Sequence, residues 1–573
     1  MSSVRALCDE FWSWRMSEYP ELGTAVGHHD NDHRWDDMSQ ETVGKRKEFC
    51  LGFLPRLKQA AESAQTKAEK DLGLLLTSEI EVFVAGLVHK TYLFAINGME
   101  GPHIDHVRTF SWMKFETAAD YEKALSRLDS LPANLQQVEA LLTTSIAESR
   151  LPSVVSMKGI IDQINELTSS VDSSGFYKPF TAVPSSIEES DRQSLQDRAR
   201  ATIETGVFPA FNQLAKFLEE VYIPACRKDT IGCHALPNGA QLYQDSLSFH
   251  TSTSLTAQEV HDIGLAEVKR IRTSMEQVLQ EVNFAGTFPE FLNHLRTNDK
   301  FHFKSKEELI DSYKAACAKI RVLLPKIFKT VPQVDCDIVQ TPTGADRVAP
   351  AAYYLAPPED GSRPGTFYLN TYNIETRANY EMMALCLHEC EPGHHFQTVF
   401  AMQQDEMPSF RRHVEDSHYY QAPGRFALHT AYMEGWGLYC EFLGHELGLY
   451  DDPYMRFGRY SLEILRACRL VVDTGMHVLG WSRQQAIDFV SENSALSLHN
   501  VTTEVDRFIT WPGQACAYKI GELEIQKLRR EAEEKLGSKF DVRDFHEVVL
   551  ACGPVPLDSL RSAVEDYIAS MAS

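Results

Sequence analysis

Uninterrupted apolar sequence is scarce in this chain: no stretch approaches the roughly 18 uncharged residues that a membrane-crossing helix needs, so no insertion into a bilayer is expected. Residues 1–12 carry acids early and lack the apolar core of a cleaved leader, which makes the cytoplasm the expected compartment. The 12 cysteines are scattered without knuckle or framework spacing and read as reduced thiols. A single sequon at Asn500 does not alter that reading. Positive charge is short as well. Fifty-six basic residues against 80 acidic ones leave a formal charge of −24, which repels phosphates and argues against nucleic acid or an anionic membrane as the main partner. Low-complexity tracts are missing, and 43 % hydrophobic with 24 % charged residues is ordinary for a soluble globular protein.

Against this plain background, the run from Leu387 to Gln397 stands out, with three imidazoles and two carboxylates in the eight residues 388–395. The apolar segment 380–387 is built of good helix formers, so His388 and Glu389 leave a buried helix. That arrangement suits a zinc hydrolase. Neutral imidazole is the commonest zinc ligand, and a glutamate directly after the first histidine reaches past the metal to take a proton from water. The usual spacing puts the second histidine four residues on, on the same helical face. Here that position is Pro392, followed by Gly393, a pair that breaks a helix. Looping out two residues brings His394 into the ligand position; looping out three brings His395 there. The rival structural reading is a histidine-rich helix end serving as a C-cap, which leaves Glu389 unexplained.

Residues 1–230 read as helix after helix, over 4–19, 40–64, 66–94, 118–148 and 191–225, and form an expected scaffold lobe. Residues 231–573 form the expected catalytic lobe, or the two make one integrated unit. Two further helices are predicted over 256–283 and 306–328. Residues 351–356 and 366–371 are short and aromatic around a turn-rich segment and predict a β-hairpin just before the metal helix, which is either structural or an edge for an extended peptide.

A catalytic zinc needs a third protein ligand. Glu434 and Glu441 stand seven apart on one face of a largely apolar helix, where a carboxylate is costly unless paired or bound to metal. Glu434 is assigned as the ligand and Glu441 to a supporting hydrogen bond. Arg469, Asp473 and His477 recur every four residues on another apolar helix; Asp473 and His477 are candidates to fix the ligand rings, with pairing of Asp473 to Arg469 as the alternative. Peptide hydrolysis also needs an oxyanion donor. Pro512-Gly513 begins a predicted helix carrying Gln514 and Tyr518, and the Tyr518 hydroxyl is the candidate, although a helix tyrosine is more often core. Arg507 has the fork that suits a substrate carboxylate.

These blocks, the 388–395 motif, 434–441, 473–477 and 512–521, together resemble the family named domain of unknown function 885, taken as a branch of the zinc peptidases of the His-Glu-x-x-His plus Glu type. Their order matches across most of the chain, including residues 27–30 and the closing Phe545-His546 with Gly553-Pro554. Within the wider clan the chain is similar to the thimet-oligopeptidase and angiotensin-converting-enzyme families. The resemblance implies a mainly α-helical, two-lobed fold around a cleft, Glu434 as third ligand with Glu441 seven residues later, and Tyr518 on the oxyanion. Those relatives keep their histidines four apart; the insertion around Pro392 departs from them and leaves His394 and His395 both open, while Glu389 is unaffected.

The expectation is therefore a helical zinc peptidase of short peptides, of oligopeptidase or carboxypeptidase type, with His388, His394 or His395, and Glu434 on the metal, Glu389 as general base and Tyr518 on the oxyanion. Manganese or cobalt would suit the same ligands. The rivals are a hydrolase of a non-peptide amide or ester and an inactive binding protein of the same fold.

Overall fold

The helix N-termini are written locally. Ser3, Ser39 and Thr66 each turn a side-chain oxygen onto a backbone N–H of the first turn, and Thr117 and Thr256 close reciprocal capping boxes with Asp120 and Glu259. The computed structural model describes residues 3–342 and 350–572. Its helices Val4–Glu18, Gln40–Glu62, Ala118–Ala147, Ala257–Glu281 and Lys306–Leu323 lie where apolar periodicity put them. Two expectations are refined. The helix expected over 66–94 ends at Gly86, where any Cβ would lie 2.2 Å from the Pro423 carbonyl oxygen, and continues as 3-10 turns. The helix expected over 191–225 runs on through two π-turns, Ile203–Val207 and Leu218–Tyr222, each just ahead of a turn containing a proline that can donate no backbone hydrogen bond.

The fold is mainly α, with one small sheet among the described residues. Strands β1 (Cys336–Gln340), β2 (Ala352–Leu355) and β3 (Gly365–Leu369) lie in the order β1-β3-β2. The predicted hairpin is β2 against β3, in antiparallel register from Ala352 opposite Leu369 to Leu355 opposite Thr366. Strand β1 runs parallel to β3 and was not anticipated, because its five residues include Asp337, Val339 and Gln340 on exposed positions and offer little apolar alternation. Phe367 and Leu369 pack inward, with Tyr313 of the helix Lys306–Leu323 edge-on to Phe367 at 5.8 Å.

Four apolar cores hold the molecule together. One joins residues 4–83 to Phe410 and Phe426, a second gathers residues 93–226 with Trp35 and Tyr420, and a third surrounds the long helix Pro453–His477. The largest joins the sheet, the motif helix Met382–Glu389, the helix Thr430–Glu446 and the helix Ala517–Leu536. The last two approach almost backbone to backbone, since Gly435 meets Gly521 and a Cβ on Gly521 would fall 1.8 Å from the Ala431 carbonyl oxygen. Among the described residues, Lys67–His89 is long and apolar enough to cross a membrane by composition, and 56 % of its apolar window is buried inside the fold.

Candidate metal centre

The motif helix delivers His388 and Glu389 and then stops. Cys390 leaves helical geometry, and Glu391-Pro392-Gly393 form the break before a second helix, His394–Met402, begins. The break is held from three sides: Trp436 Nε1 donates to the Pro392 carbonyl at 2.8 Å, Arg321 pairs with Glu391, and Gly393 sits where a Cβ would lie 1.7 Å from the His388 carbonyl oxygen. The interruption turns the His394 ring at right angles to that of His388, with centroids 4.9 Å apart. His395 points elsewhere, its Nδ1 3.1 Å from Tyr354 Oη and its Nε2 2.9 Å from the Val334 carbonyl. Of the two histidines left open by the sequence, the structure brings His394 to the cluster.

Glu434 Oε2 lies 3.3 Å from His388 Nε2 and 3.4 Å from His394 Nε2, and the three prospective ligand atoms all fall within 4.8 Å of one another. A tetrahedral ion bound at about 2.0–2.1 Å sets its ligands about 3.3–3.4 Å apart, so the two distances from Glu434 to the imidazoles fit one. The supports fit as well. His388 Nδ1 donates to Glu441 Oε1 at 2.8 Å, which leaves Nε2 as the lone-pair side, and Glu441 is fully buried with Arg466 Nη2 at 3.3 Å. Burial pushes the His388 pKa down, but Glu434 and Glu441 outweigh it and hold the group at about 9, so the carboxylates favour a proton on the ring, whose place at Nε2 a bound cation would take.

Glu389 is buried, and burial raises its pKa against the opposing pull of His388 and His394. Its charged neighbours are the cluster residues His388, His394 and Glu434, with Arg466 beside them. Tyr518 begins the helix Ala517–Leu536 rather than following a helix that starts at Pro512, because Gly513 adopts a left-handed φ of +82° and a 3-10 turn intervenes. Its Oη accepts from Gln514 Nε2 at 3.3 Å, and burial with the Glu434 charge holds the phenol above its ordinary range. Arg507 pairs with Glu504 at 3.2 Å.

Asp473 and His477 are corrected. Asp473 Oδ2 accepts from Tyr243 Oη at 2.6 Å and from the Gly513 N–H at 3.0 Å, while Arg469 pairs with Glu504 instead. His477 Nδ1 accepts from the Cys233 N–H at 3.1 Å, and its Nε2 lies 2.9 Å from the Phe508 carbonyl. Asp473 braces the turn that precedes Tyr518, and His477 ties Cys233 to the helix Leu498–Thr510; neither holds a ligand ring. Sequence reasoning missed Arg466, whose only sign was a cation inside an apolar helix, and Gly437, where a Cβ would lie 2.8 Å from the His388 ring.

His394 and Glu434 line a cavity of about 180 Å³. Its lining includes Thr430, Met433 and the β2 residues Tyr354 and Leu355, together with Glu21, Asp105 and Trp112 from the first part of the chain.

No curated protein matches the chain. Two solved structures share its fold, a protein of Colwellia psychrerythraea and one of Shewanella oneidensis, each described as a "putative lipoprotein". The first is 27 % identical, with each chain covered over its whole length and a TM-score of 0.90. The second is 17 % identical, covering 98 % of this chain and 99 % of its own, with a TM-score of 0.72. A third, PZ peptidase A with an inhibitor, is 11 % identical over 91 % of this chain and 97 % of its own at a TM-score of 0.22, too low to argue from. A family described as bacterial protein of unknown function, DUF885, matches residues 20–564, and the chain belongs to it.

Proposed function

We propose that this protein is a zinc-dependent peptidase acting on short peptides, with His388, His394 and Glu434 as ligands and Glu389 as general base. The observation that carries the reading is the cluster itself: two imidazole nitrogens and a carboxylate oxygen within 4.8 Å of one another, with a buried carboxylate beside them and a cavity opening on them. A zinc ion held there would bring the pKa of water to about 7. Glu389 takes the proton of the attacking water and returns it to the leaving amine. Tyr518 Oη donates to the oxyanion that develops on the scissile carbonyl. Strand β2 is an edge of the sheet and lines the cavity, which gives an extended peptide a strand to pair with and favours peptides over simple esters. A cavity of about 180 Å³ favours short chains over folded proteins. Twelve unpaired cysteines favour the cytosol, against the lipoprotein description of the relatives. Cell fractionation checks that point, with the protein expected in the soluble fraction.

Metal content of tag-free protein tests the site. About one zinc per chain is expected, lost in His394→Ala and kept in His395→Ala. Glu389→Gln is expected to keep zinc while turnover of a peptide library falls about 10²- to 10⁴-fold. Survival of most activity in that variant sinks the general-base assignment, and a wild-type chain that takes up no metal sinks the reading.

A further inference from the structure

Three guanidinium groups converge beside the cluster. Arg466 and Arg469 leave the long helix Pro453–His477 three residues apart, and Arg507 leaves the helix Leu498–Thr510. Their carboxylate partners are already shared. Glu441 takes Arg466 Nη2 at 3.3 Å while also holding His388, and Glu504 takes both Arg469 Nη2 at 2.7 Å and Arg507 Nη2 at 3.2 Å. Donors are left over. Arg469 is 5 % exposed, and its Nε and Nη1 are buried with no hydrogen-bond partner, as is Nε of Arg507. A buried guanidinium donor without an acceptor is costly, so two such groups around one carboxylate call for a second anion.

The place of the cluster suggests which anion. The Arg469 guanidinium lies over the Tyr518 ring at 4.3 Å from its centroid, and the side chain of Arg507 keeps 15 % of its surface open. Charge interactions link Arg507 and Tyr518 to Glu434, and Tyr419, which lines the cavity, to both Tyr518 and Glu434. A ligand that places its carbonyl between Tyr518 and the metal ligands therefore has cationic donors within its next residues. The planar fork of arginine fits a carboxylate with two parallel bonds.

We propose that Arg469 and Arg507 form a subsite for the free C-terminal carboxylate of a short peptide, so that the protein cleaves close to the C-terminus and is a carboxypeptidase rather than an endopeptidase. The inference rests on the peptidase reading above. It deepens that reading by naming the substrate class.

The test uses zinc-loaded Glu389→Gln protein and three matched tripeptide pools: free acids without Asp or Glu, their C-terminal amides, and amides ending in Glu. Calorimetric titration is expected to find the free acids bound at least about 10-fold more tightly than their amides, the strength of hydrogen bonds to charged groups. Adding Arg507→Gln is expected to bring that ratio close to one, with zinc content and melting temperature as controls, and Arg507→Lys to restore part of it. Equal binding of acids and amides, or binding of neither, overturns the subsite. So does tightest binding of the Glu-ending amides, which would assign the arginines to a side chain. Wild-type turnover separates the two claims. No hydrolysis with the acid preference intact sinks the peptidase reading, and carboxypeptidase action with it, but leaves the carboxylate subsite standing, and equal hydrolysis of acids and amides sinks the subsite alone.

Discussion

At the scale of single residues, His546 illustrates how a buried imidazole ties stability to pH. Its Nδ1 lies 2.8 Å from the Ile327 carbonyl and its Nε2 2.8 Å from Tyr439 Oη, with the side chain wholly buried. Burial lowers its pKa from 6.5 to about 3, so the folded protein keeps it neutral while the unfolded chain protonates it below about 6.5. The resulting stability is fully present above the unfolded value and is lost as pH falls towards the folded one. Each pH unit in that window removes about 1.4 kcal/mol. Urea unfolding of wild type and His546→Gln should therefore show a stability difference that shrinks by about that much per unit between about pH 6 and 4; a constant difference would reject the assignment. Residue identity also marks how far the sequence could be read. Glu434 and Glu441 were legible because two acids seven apart on an apolar helix have few ways to be satisfied. Asp473 obeyed the same logic, but its partners, Tyr243 and the Gly513 N–H, lie 230 and 40 residues away and leave no periodic trace.

At the scale of elements, the break between two short helices decides the site, and glycine decides the break. Pro392 announced an interruption, but not how many residues it would consume, which is why His394 and His395 stayed open. The answer lies in the contact of Gly393 with the His388 carbonyl and in the anchoring of Pro392 by Trp436, both tertiary. Strand β1 was hidden for a related reason, since it is specified by β3 and not by its own pattern. Gly437 acts from the facing helix by leaving room for the His388 ring. Gly393→Ala and Gly437→Ala are each expected to weaken zinc binding by at least the about 10- to 100-fold typical of misdirected ligands, as does Glu441→Gln, which removes the acceptor of His388. Competition with a chelator measures this, and circular dichroism should find helix content nearly unchanged. Wild-type affinity in Gly437→Ala would mean that the His388 ring can shift without consequence.

At the scale of the whole molecule, the first part of the chain and the part that carries the His388, His394 and Glu434 cluster share their cores. Phe410 and Phe426 complete the core of residues 4–83. Arg15 pairs with Glu415 at 2.8 Å with both side chains largely buried, Glu79 meets His429 at 2.9 Å, and Glu100 accepts from Trp511 Nε1 at 3.0 Å. Glu21, Asp105 and Trp112, also from the first part, line the cavity that opens on His394 and Glu434. Opening the first part away from the second would expose apolar rings and strand buried charges, each costing more than a surface contact returns. Cooperative unfolding follows from that sharing. Tryptophan emission, which samples Trp12 and Trp35 at one end and Trp436 and Trp511 at the other, should lose its native signal at the same urea midpoint as far-UV dichroism and zinc release. A zinc-free intermediate that keeps the emission of the first part would instead mean that the scaffold folds alone and that the cavity is assembled by docking.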